Sequence, residues 1–481
     1  MENRPDFDTK KQVKMSTGIG SFGWWSGEAS AKFANQKWAT ATRIFHQKAK
    51  NDFIFEPSPG LPDKHQTNAA QWQGGLLQEF YWRPSGKQQL GWQTWLQRAY
   101  REIPPTTTQT RSEANQSDEV LRTALNWKLN YGSNSIQVRS ALFREGIRYQ
   151  DGQIGLDAPS HFWTSISEAE WQRYFFDKIT LQIAGNQTFT KAFIKNYQSA
   201  AERRQSAVFA SLRLTQGQWS AQLDGRCELV DGKLVPITPS LGLERNIQNW
   251  LKIGAKIGRN YRLPTLNDLH WMPGGNPDLL AESGWSEEIN FHFSKKKKQS
   301  GASFTAAVFN RNIENWLRWH PTEGQPFWSA SNIAEVWSRG VESRLHWALQ
   351  RKKWQLKLDA GYDYTRSTHQ KAIEIPKTEV GQQLDYVPEN QGFVAGEIQL
   401  NGLGYSYRHH FTGSVRTDLG SLPGFQIGTV LVDFERPIGG WPTRIFFQIE
   451  NCWDTNYRVI ERRPMPGRNF KVGMFTTFTK H

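Results

Sequence analysis

The stretch Trp354–Thr365, WQLKLDAGYDYT, decides the fold class of this 481-residue sequence. Apolar or aromatic residues occupy every second position from Trp354 to Tyr364, and polar or small residues fill the positions between them. Because successive side chains of a β-strand point to opposite faces, the alternation predicts a strand with one apolar and one polar face. Strands of globular sheets usually have about 5–6 residues, whereas a tilted strand that crosses a membrane needs about 9–11. The stretch has the length of a membrane-crossing strand.

The same period of two recurs along the chain, in residues 251–261, 403–416 and 467–478. Hydrophobic residues make up only 37% and the mean hydropathy is −0.66, yet aromatic residues reach 13% and include 22 Trp. So many aromatic residues exclude a disordered chain, and no stretch approaches the ~18 apolar residues of a membrane-spanning helix. A transmembrane β-barrel fits, because its strands alternate lipid-facing and lumen-facing residues and its Trp and Tyr gather at the interfaces.

Short turns and long loops alternate between the predicted strands. Ten short turns are predicted near residues 35–37, 84–86, 132–134, 185–187, 216–217, 245–246, 295–298, 350–351, 401–402 and 437–440. Longer segments lie between them, at 53–70, 102–118, 150–172, 261–285, 312–330, 365–390 and 452–466. With a first strand near 11–23 and a last one near 467–478, the count is about 22. The sequence therefore predicts an all-β, transmembrane antiparallel β-barrel with short periplasmic turns and long extracellular loops.

The net charge and the lack of reactive or metal-binding motifs restrict the classes of function that the sequence allows. The net charge is +14, but the one dense basic run, Lys295–Lys298, is interpreted as a solvated turn and not as a nucleic-acid site. Cys227 and Cys452 are too few for a disulfide framework and have no metal-site spacing. Alternation sends His409 and His410 to opposite faces, so neither a metal site nor a cofactor is predicted. Motifs of hydrolases, metalloproteases and nucleotide-binding enzymes are absent from the sequence, which favours a protein that is not an enzyme.

Three segments carry a specific resemblance. Residues 258–288, GRNYRLPTLNDLHWMPGGNPDLLAESGWSEE, and 445–470, IFFQIENCWDTNYRVIERRPMPGRNF, resemble signatures of TonB-dependent outer-membrane receptors, and the end of the chain resembles a barrel-closing strand. The matching positions are Arg262, Pro264, Thr265, Leu266, Leu269, Gly275, Asn276, Pro277, Leu279, Glu282, Glu288, Asn451, Asp454, Tyr457, Pro466, Gly467, Arg468 and Phe478. Asp268 stands where the family often has Glu, and Ala281 where it often has Pro. The Pro, Gly, Asn and Asp residues suit turns, so a structural role is favoured over ligand contact.

The resemblance implies uptake of a scarce solute, of the ferric siderophore, haem or cobalamin class, by TonB-dependent gated passage. It places the protein in the cell outer membrane as a monomeric barrel in contact with lipid. Residues 1–10 are interpreted as a tail at a truncated plug junction and 11–481 as the barrel. Because the family carries a signal peptide, a TonB-contacting box and a plug ahead of the barrel, the chain is expected to be N-terminally truncated, and TonB coupling needs a supplied plug. An ungated diffusion pore and an inert fragment of a split receptor gene remain the alternatives.

Loop and lumen-facing residues are the candidates for solute contact. Ring-bearing loop residues would stack on a rigid ligand, and basic lumen residues would favour an anionic or carbonyl-rich solute. The candidates are His270, Trp271, Trp316, Trp319, Trp328, Arg344, Lys357, Tyr386, Arg408 and Arg416. The alternative is that the Trp residues form interfacial girdles and that the basic residues pair with Glu342, Asp359, Asp363 and Glu450.

Overall fold

The computed structural model describes residues 6–7, 11–58, 60–321, 324–373 and 377–479, and these form an all-β structure. The strands are β1 (Lys11–Gly20), β2 (Trp25–Ala34), β3 (Trp38–Ala49), β4 (Ile54–Phe55), β5 (Lys64–His65), β6 (Gln71–Ser85), β7 (Gln88–Glu102), β8 (Ala114–Tyr131), β9 (Asn134–Asp151), β10 (Leu156–Phe175), β11 (Ile179–Ile194), β12 (Ala201–Gln216), β13 (Trp219–Val230), β14 (Lys233–Leu234), β15 (Thr238–Gln248), β16 (Leu251–Arg262), β17 (Glu282–Lys297), β18 (Ser300–Pro321), β19 (Trp328–Gln350), β20 (Trp354–His369), β21 (Asn390–Leu400), β22 (Leu403–Thr412), β23 (Val415–Thr417), β24 (Gly420–Leu422), β25 (Phe425–Ile438), β26 (Trp441–Glu450), β27 (Arg458–Ile460), β28 (Arg463–Pro464) and β29 (Asn469–Thr479). The helical elements are two 3-10 turns, Ser21–Gly23 and Gly152–Ile154, and the short helix α1 (Leu266–His270).

The predicted number of strands is confirmed. Seven of the 29 strands in the described ranges have only two or three residues, and the remaining 22 have ten or more. Ten of the connections between consecutive long strands are tight turns, and much longer segments separate most of the other pairs. Within the described ranges no helix is long and apolar enough to span a membrane.

Two compact units make up the chain. In the first, built from residues up to 169, 397–408 and from 427 onward, antiparallel pairing follows the order β25, β26, β29, β1, β2, β3, β6, β7, β8 and β9. The last long strand therefore pairs with the first, along Gln12↔Thr479 to Gly20↔Lys471. Backbone groups that would form a free sheet edge at the two ends of the chain are paired.

The second unit, residues 170–396 and 409–426, is a meander of neighbours from β11 to β20. Its register keeps the two faces separate. On β19 and β20, Val341 pairs with Tyr364 on the apolar face, while Glu342 pairs with Asp363 on the polar face. The alternation in Trp354–Thr365 thus forms the predicted two-faced strand.

Two predicted connections are wrong. The turn predicted at 185–187 lies inside β11, and the turn before that strand is at 176–178, where Phe176 and Asp177 have positive φ. The loop predicted at 150–172 is mostly β10, which is joined to β9 by only four residues. Smaller shifts place the turn predicted at 245–246 at 249–250, and much of the loop predicted at 312–330 is paired in β18 and β19.

The predicted N-terminal tail lies largely outside the described residues. Of residues 1–10 only Asp6 and Phe7 are described: Asp6 accepts a hydrogen bond from Lys32 Nζ at 3.3 Å, and Phe7 is buried against Ala39 and Tyr81. The guanidinium of Arg83 lies 3.9 Å from the centre of the Phe7 ring.

Candidate functional site

A charged pair closes the base of the long connection between β16 and β17, residues 263–281, called the signature loop below. Arg262 ends β16, and Glu282 begins β17 as its direct partner across the two strands. The Arg262 guanidinium donates to both Glu282 oxygens, at 2.7 and 2.5 Å. Glu282, which is 6% exposed, also accepts the backbone N–H of Leu317 at 2.8 Å. Such a two-pronged pair fixes orientation as well as distance.

Asp268 ties the signature loop to β18. It shares a capping box with Thr265: the Asp268 N–H donates to Thr265 Oγ1 at 3.1 Å, and the Thr265 N–H donates to Asp268 Oδ2 at 2.7 Å. This arrangement satisfies the N–H groups that helix α1 leaves open at its start. The remaining Asp268 oxygen accepts from the Trp319 indole at 2.7 Å, and Asp268 itself is buried.

Glycine lets the same loop lie directly against β19. The Ala330 N–H donates to the Gly274 carbonyl at 2.9 Å. Gly274 has φ of +109°, and a Cβ at this position would lie 1.9 Å from the Trp328 carbonyl oxygen. Only glycine allows both that φ and that approach. The loop then continues to Asn332, whose Oδ1 accepts the Leu280 N–H at 2.8 Å.

Tyr197, in the connection between β11 and β12, anchors the other side of the signature loop. Its hydroxyl donates to Asn267 Oδ1 at 2.5 Å, and its ring lies 5.8 Å from that of His270. Burial, with a smaller contribution from the Asp268 carboxylate, raises the pKa of Tyr197 to about 12. The hydroxyl therefore stays protonated and keeps donating at neutral pH. Arg203 adds a hydrogen bond to the Pro264 carbonyl at 2.7 Å.

The anchored loop and the start of β19 leave ring-bearing and flexible side chains exposed. Trp328 is 52% exposed and Met272 44% exposed, His270 is also exposed, and Trp271 is half-buried. We call these four residues the aromatic rim. Trp316 and Trp319 lie half-buried on β18, and the indole N–H of Trp319 is already used by Asp268. The structure therefore groups three of the six predicted aromatic candidates in one place.

An ionic cluster brings two further candidates together in the loops after β20 and β22. Asp385 accepts from Arg416 Nε at 3.2 Å and lies 3.6 Å from the Arg318 guanidinium, which is equally close to Asp418. The Tyr386 N–H donates to the Arg416 carbonyl at 2.8 Å, and the Tyr386 side chain is 40% exposed. Arg416 is thus held by a carboxylate, and Tyr386 stands at the edge of the cluster.

His369 is buried beside this cluster, at the loop end of β20 and beyond the length that a membrane crossing needs. It is 4% exposed, and its Nδ1 has no hydrogen-bond partner among the described residues. Burial lowers the pKa of His369, and the charges of Arg318 and Arg416 lower it further, although Asp385 opposes them. A neutral imidazole is therefore favoured in the folded loop.

Acidification should loosen the loop around His369. Because the folded-state pKa lies below the ordinary value of 6.5, the unfolded loop binds more protons, so stability is complete above about pH 6.5 and is lost as the pH falls towards the folded pKa. We expect lower amide protection, after correction for the intrinsic pH dependence of exchange, in residues 365–373 and 377–384 below about pH 6.5. The effect should disappear in His369→Asn and persist in the exposed control His270→Asn. Equal pH dependence in wild type and His369→Asn would refute this assignment.

The remaining basic candidates are placed on strands. Arg344 lies on the polar face of β19 and donates to both Asp363 oxygens at 2.6 and 3.0 Å. Lys357 lies on β20, opposite Ala348 of β19, and its side chain is half-buried. Arg408 is exposed on β22 and belongs to the first unit, whereas the other nine candidates belong to the second. Arg344 is therefore neutralised by an acid that the sequence analysis named as an alternative partner.

A cavity of about 670 Å³ lies on the polar face of the second unit, between β12 and β18. Its wall is rich in polar residues, and several of them already have hydrogen-bond partners in the protein. Asp224 accepts from Ser211 at 2.6 Å and from Ser240 at 2.9 Å. At the rear, Glu228 is 3% exposed and accepts from Tyr261 and Arg226. The wall thus presents paired charges and hydroxyl groups.

The C-terminal signature builds a loop. Asn451 is 3% exposed and donates to the Thr455 carbonyl at 2.8 Å, while its Oδ1 accepts the Thr455 N–H at 2.9 Å. Asp454 accepts the Arg468 N–H at 2.7 Å, and a Cβ on Gly467 would lie 2.6 Å from the same Asp454 oxygen. These residues hold the chain between β26 and β29.

Sequence reasoning missed several anchoring residues. Tyr197, Arg318, Asp385 and His369 gave no local signal, since each acts on segments far away in the chain. Asp268 did carry one, because Thr265 followed three positions later by an acid is a capping-box pattern. No group of three or more potential metal ligands occurs in the described ranges. His409 Nε2 and His410 Nε2 have different partners, Gln426 Oε1 and Thr412 Oγ1.

Known proteins share both the sequence pattern and the fold. Residues 25–451 match the family described as "TonB dependent receptor-like, beta-barrel". The vitamin B12 transporter BtuB of Photobacterium profundum is 23% identical over 244 residues, which is 50% of this chain and 38% of BtuB. The chain thus aligns with well under half the length of that relative.

Solved structures at low identity share the fold alone. The FrpB iron transporter of Neisseria meningitidis superposes with a TM-score of 0.79 at 13% identity, covering 98% of this chain and 82% of FrpB. The Serratia marcescens hemophore receptor HasR, solved with HasA and heme, gives 0.79 at 12% identity, covering 98% and 81%. The 22 long strands agree with this antiparallel barrel class. The chain belongs to the TonB-dependent receptor-like β-barrel family.

Proposed function

We propose that this chain forms the barrel and loops of an outer-membrane receptor. It binds a scarce solute of the ferric siderophore, haem or cobalamin class in its extracellular loops and admits it by TonB-dependent gated passage. Family membership over residues 25–451 supports the receptor role and the outer-membrane location. The relatives named above are, by name, a vitamin B12 transporter, an iron transporter and a hemophore receptor.

One observation supports a location for the solute-binding site. The signature loop is fixed by buried hydrogen bonds, yet the aromatic rim is exposed. Binding residues tend to lie on loops that a rigid scaffold positions. Rings that are already held in place lose little conformational entropy when they stack on a ligand. A rigid, ring-bearing solute, such as a porphyrin, a corrin or a ferric catecholate, therefore fits the rim better than a flexible one.

Binding isotherms of the full 481-residue chain in detergent test the proposal. Haemin, cyanocobalamin and a ferric catecholate are titrated separately while tryptophan fluorescence is followed. We expect saturable one-to-one binding of one of the three and competition by chemically similar solutes. A chain that folds, shown by heat-modifiable migration, and binds none of the three saturably would contradict the receptor and favour a diffusion pore or an inert barrel.

A matched pair of Trp variants places the site. Trp328→Ala should weaken binding of that solute by about tenfold, since base or ring stacking on one aromatic side chain contributes about 1–3 kcal/mol. Trp219→Ala removes an equally exposed ring, 51% against 52%, at a short turn, and should leave the affinity unchanged. The same loss in both variants would mean that binding does not involve the aromatic rim.

A further inference from the structure

A row of cross-strand partners on the apolar face of the first unit contains one arginine and one glutamate. Cross-strand pairing links each member of the row to the next, from β3 through β6, β7 and β8 to β9. The row, called the boundary row, consists of His46, Gly74, Arg98, Glu119 and Gly146. Two positions nearer the short turns on each strand, the same face carries Ile44, Leu76, Leu96 and Leu121.

The depth of the boundary row follows from the register. Towards the short turns, Trp38, Trp82, Leu90 and Trp127 form a parallel row, eight positions away on every strand. Eight residues span about 26 Å along a strand, or about 20 Å across a membrane at the usual tilt of roughly 40°. The apolar band of such barrels is about 25 Å tall, so the boundary row lies just inside its far edge. Trp72 and Tyr100 lie two positions beyond the row on their strands, and they then mark the interface between membrane and water.

Charges at this depth need a partner. Arg98 and Glu119 lie 3.3 Å apart, with side chains 73% and 63% exposed. Arg144 lies two positions deeper in the apolar band, opposite Leu121. Its guanidinium lies 5.5 Å from the Trp163 ring. Charged side chains on the lipid-facing side of a barrel are destabilising, increasingly so with depth. Two arginines and one glutamate leave an excess positive charge facing lipid.

The surface around these charges is grooved. A groove of about 580 Å³ runs past Gly74 and Gly146 and is lined by Trp72, Leu76 and Leu121. His161 borders it, because a Cβ on Gly146 would lie 3.3 Å from His161 Nδ1. A second groove of similar volume begins at the other end of the row. Its walls are largely apolar and include Met15, Gly27, Ile44 and Met474, with His46 beside them.

We propose that Arg98 of the boundary row, together with Arg144, binds the phosphate of a phosphorylated membrane lipid whose acyl chains lie in the two grooves. Arginine guanidinium groups hold phosphate oxygens with two parallel hydrogen bonds, and such charge-assisted bonds are strong near a low-dielectric medium. The occupant is a lipid because the basic groups stand at the edge of the apolar band with hydrocarbon-lined grooves below them. The inference rests on membership of the barrel family and is independent of the solute.

Native mass spectrometry of the detergent-solubilised full chain tests this site. The probe is bis-phosphorylated lipid A, compared with the same lipid after removal of both phosphates. We expect the phosphorylated form to be retained preferentially. Arg98→Gln with Arg144→Gln should lower its retention at least about tenfold, since each basic residue near a membrane surface contributes a several-fold factor. Glu119→Gln should raise retention, because it removes the one negative charge of the site.

The control removes two arginines from the short-turn end of the same kind of face. Arg173 and Arg245 also lie over aromatic rings, at 4.7 and 4.9 Å, and the double Gln variant should retain lipid like wild type. Equal retention in the two double variants, or equal retention of the two lipids, overturns the proposal, as does displacement of the lipid by excess inorganic phosphate. If Arg98→Gln with Arg144→Gln does not fold, the rise in Glu119→Gln still decides, and an unchanged retention there counts against the site. Solute binding should be the same in all these variants.

Discussion

Gly274→Ala is expected to detach the signature loop from β19. The new methyl group would lie 1.9 Å from the Trp328 carbonyl oxygen, a backbone atom that cannot rotate away, and φ of +109° adds strain for any residue with a Cβ. The hydrogen bond from the Ala330 N–H to the Gly274 carbonyl should therefore break. Amide exchange at Ala330 measures this directly.

Gly381→Ala is the matched control. Gly381 also has positive φ, +83°, but a Cβ there would meet nothing within 4 Å. Gly381→Ala should lower stability only by the conformational strain of about 1 kcal/mol. In Gly274→Ala the overlap of atoms in a packed site should lower stability by roughly 1–3 kcal/mol more. Equal protection of the Ala330 amide in both variants would show that the loop is not seated on β19. Solute affinity should fall only in Gly274→Ala.

Glu282→Ala should open the base of the same loop. It removes the acceptor of the Leu317 N–H, and Leu317 is only 7% exposed, so a buried donor is left without a partner. An orphaned buried donor costs about 1–3 kcal/mol, and the loss of the Arg262 pair adds to this. The free energy of unfolding in urea, measured on the folded chain in lipid vesicles, should fall by at least that amount.

Glu244→Ala gives the comparison for a surface ion pair. Glu244 and Lys252 lie 3.4 Å apart with side chains 47% and 41% exposed. Exposed pairs contribute about 0–1 kcal/mol, so this variant should unfold close to wild type. If Glu282→Ala and Glu244→Ala lose equal stability, the hydrogen bonds of Glu282 with Arg262 and Leu317 do not hold the loop.

Strand alternation was a reliable guide where one face meets lipid. Residues 354–365, with Trp354 at the short-turn end, form a strand with the faces that their pattern predicts. The prediction of a loop was wrong at 150–172, most of which is β10. There His161, Ser165 and Ser167 occupy exposed positions on the face that carries Trp163, so a continuous strand looks polar on both sides. The misplaced turn has a different cause: Phe176 and Asp177 adopt positive φ without any Gly or Pro to signal it.

The candidate site was predictable only in part. The signature identified the loop at 263–281, because turn-forming residues leave a local pattern. Trp328 was named as an aromatic residue of the loop predicted at 312–330, and it begins β19 instead. The contacts that fix the signature loop and the ionic cluster were not predictable. Asp268 meets Trp319 and Asp385 meets Arg318 only because the strand order brings distant segments together. Arg416 was named as a candidate for contact with an anionic solute, and its guanidinium pairs with Asp385, an acid that was not among the suggested partners.

Hydrogen exchange of the full chain, with and without the solute that binds it, tests whether the long loops of the second unit hold the solute on the anchored aromatic rim. We expect added protection in residues 263–281 and at the start of β19, with none at the short turns near 217–218 and 351–353. Protection confined to the short turns, or spread evenly over the strands, would contradict it.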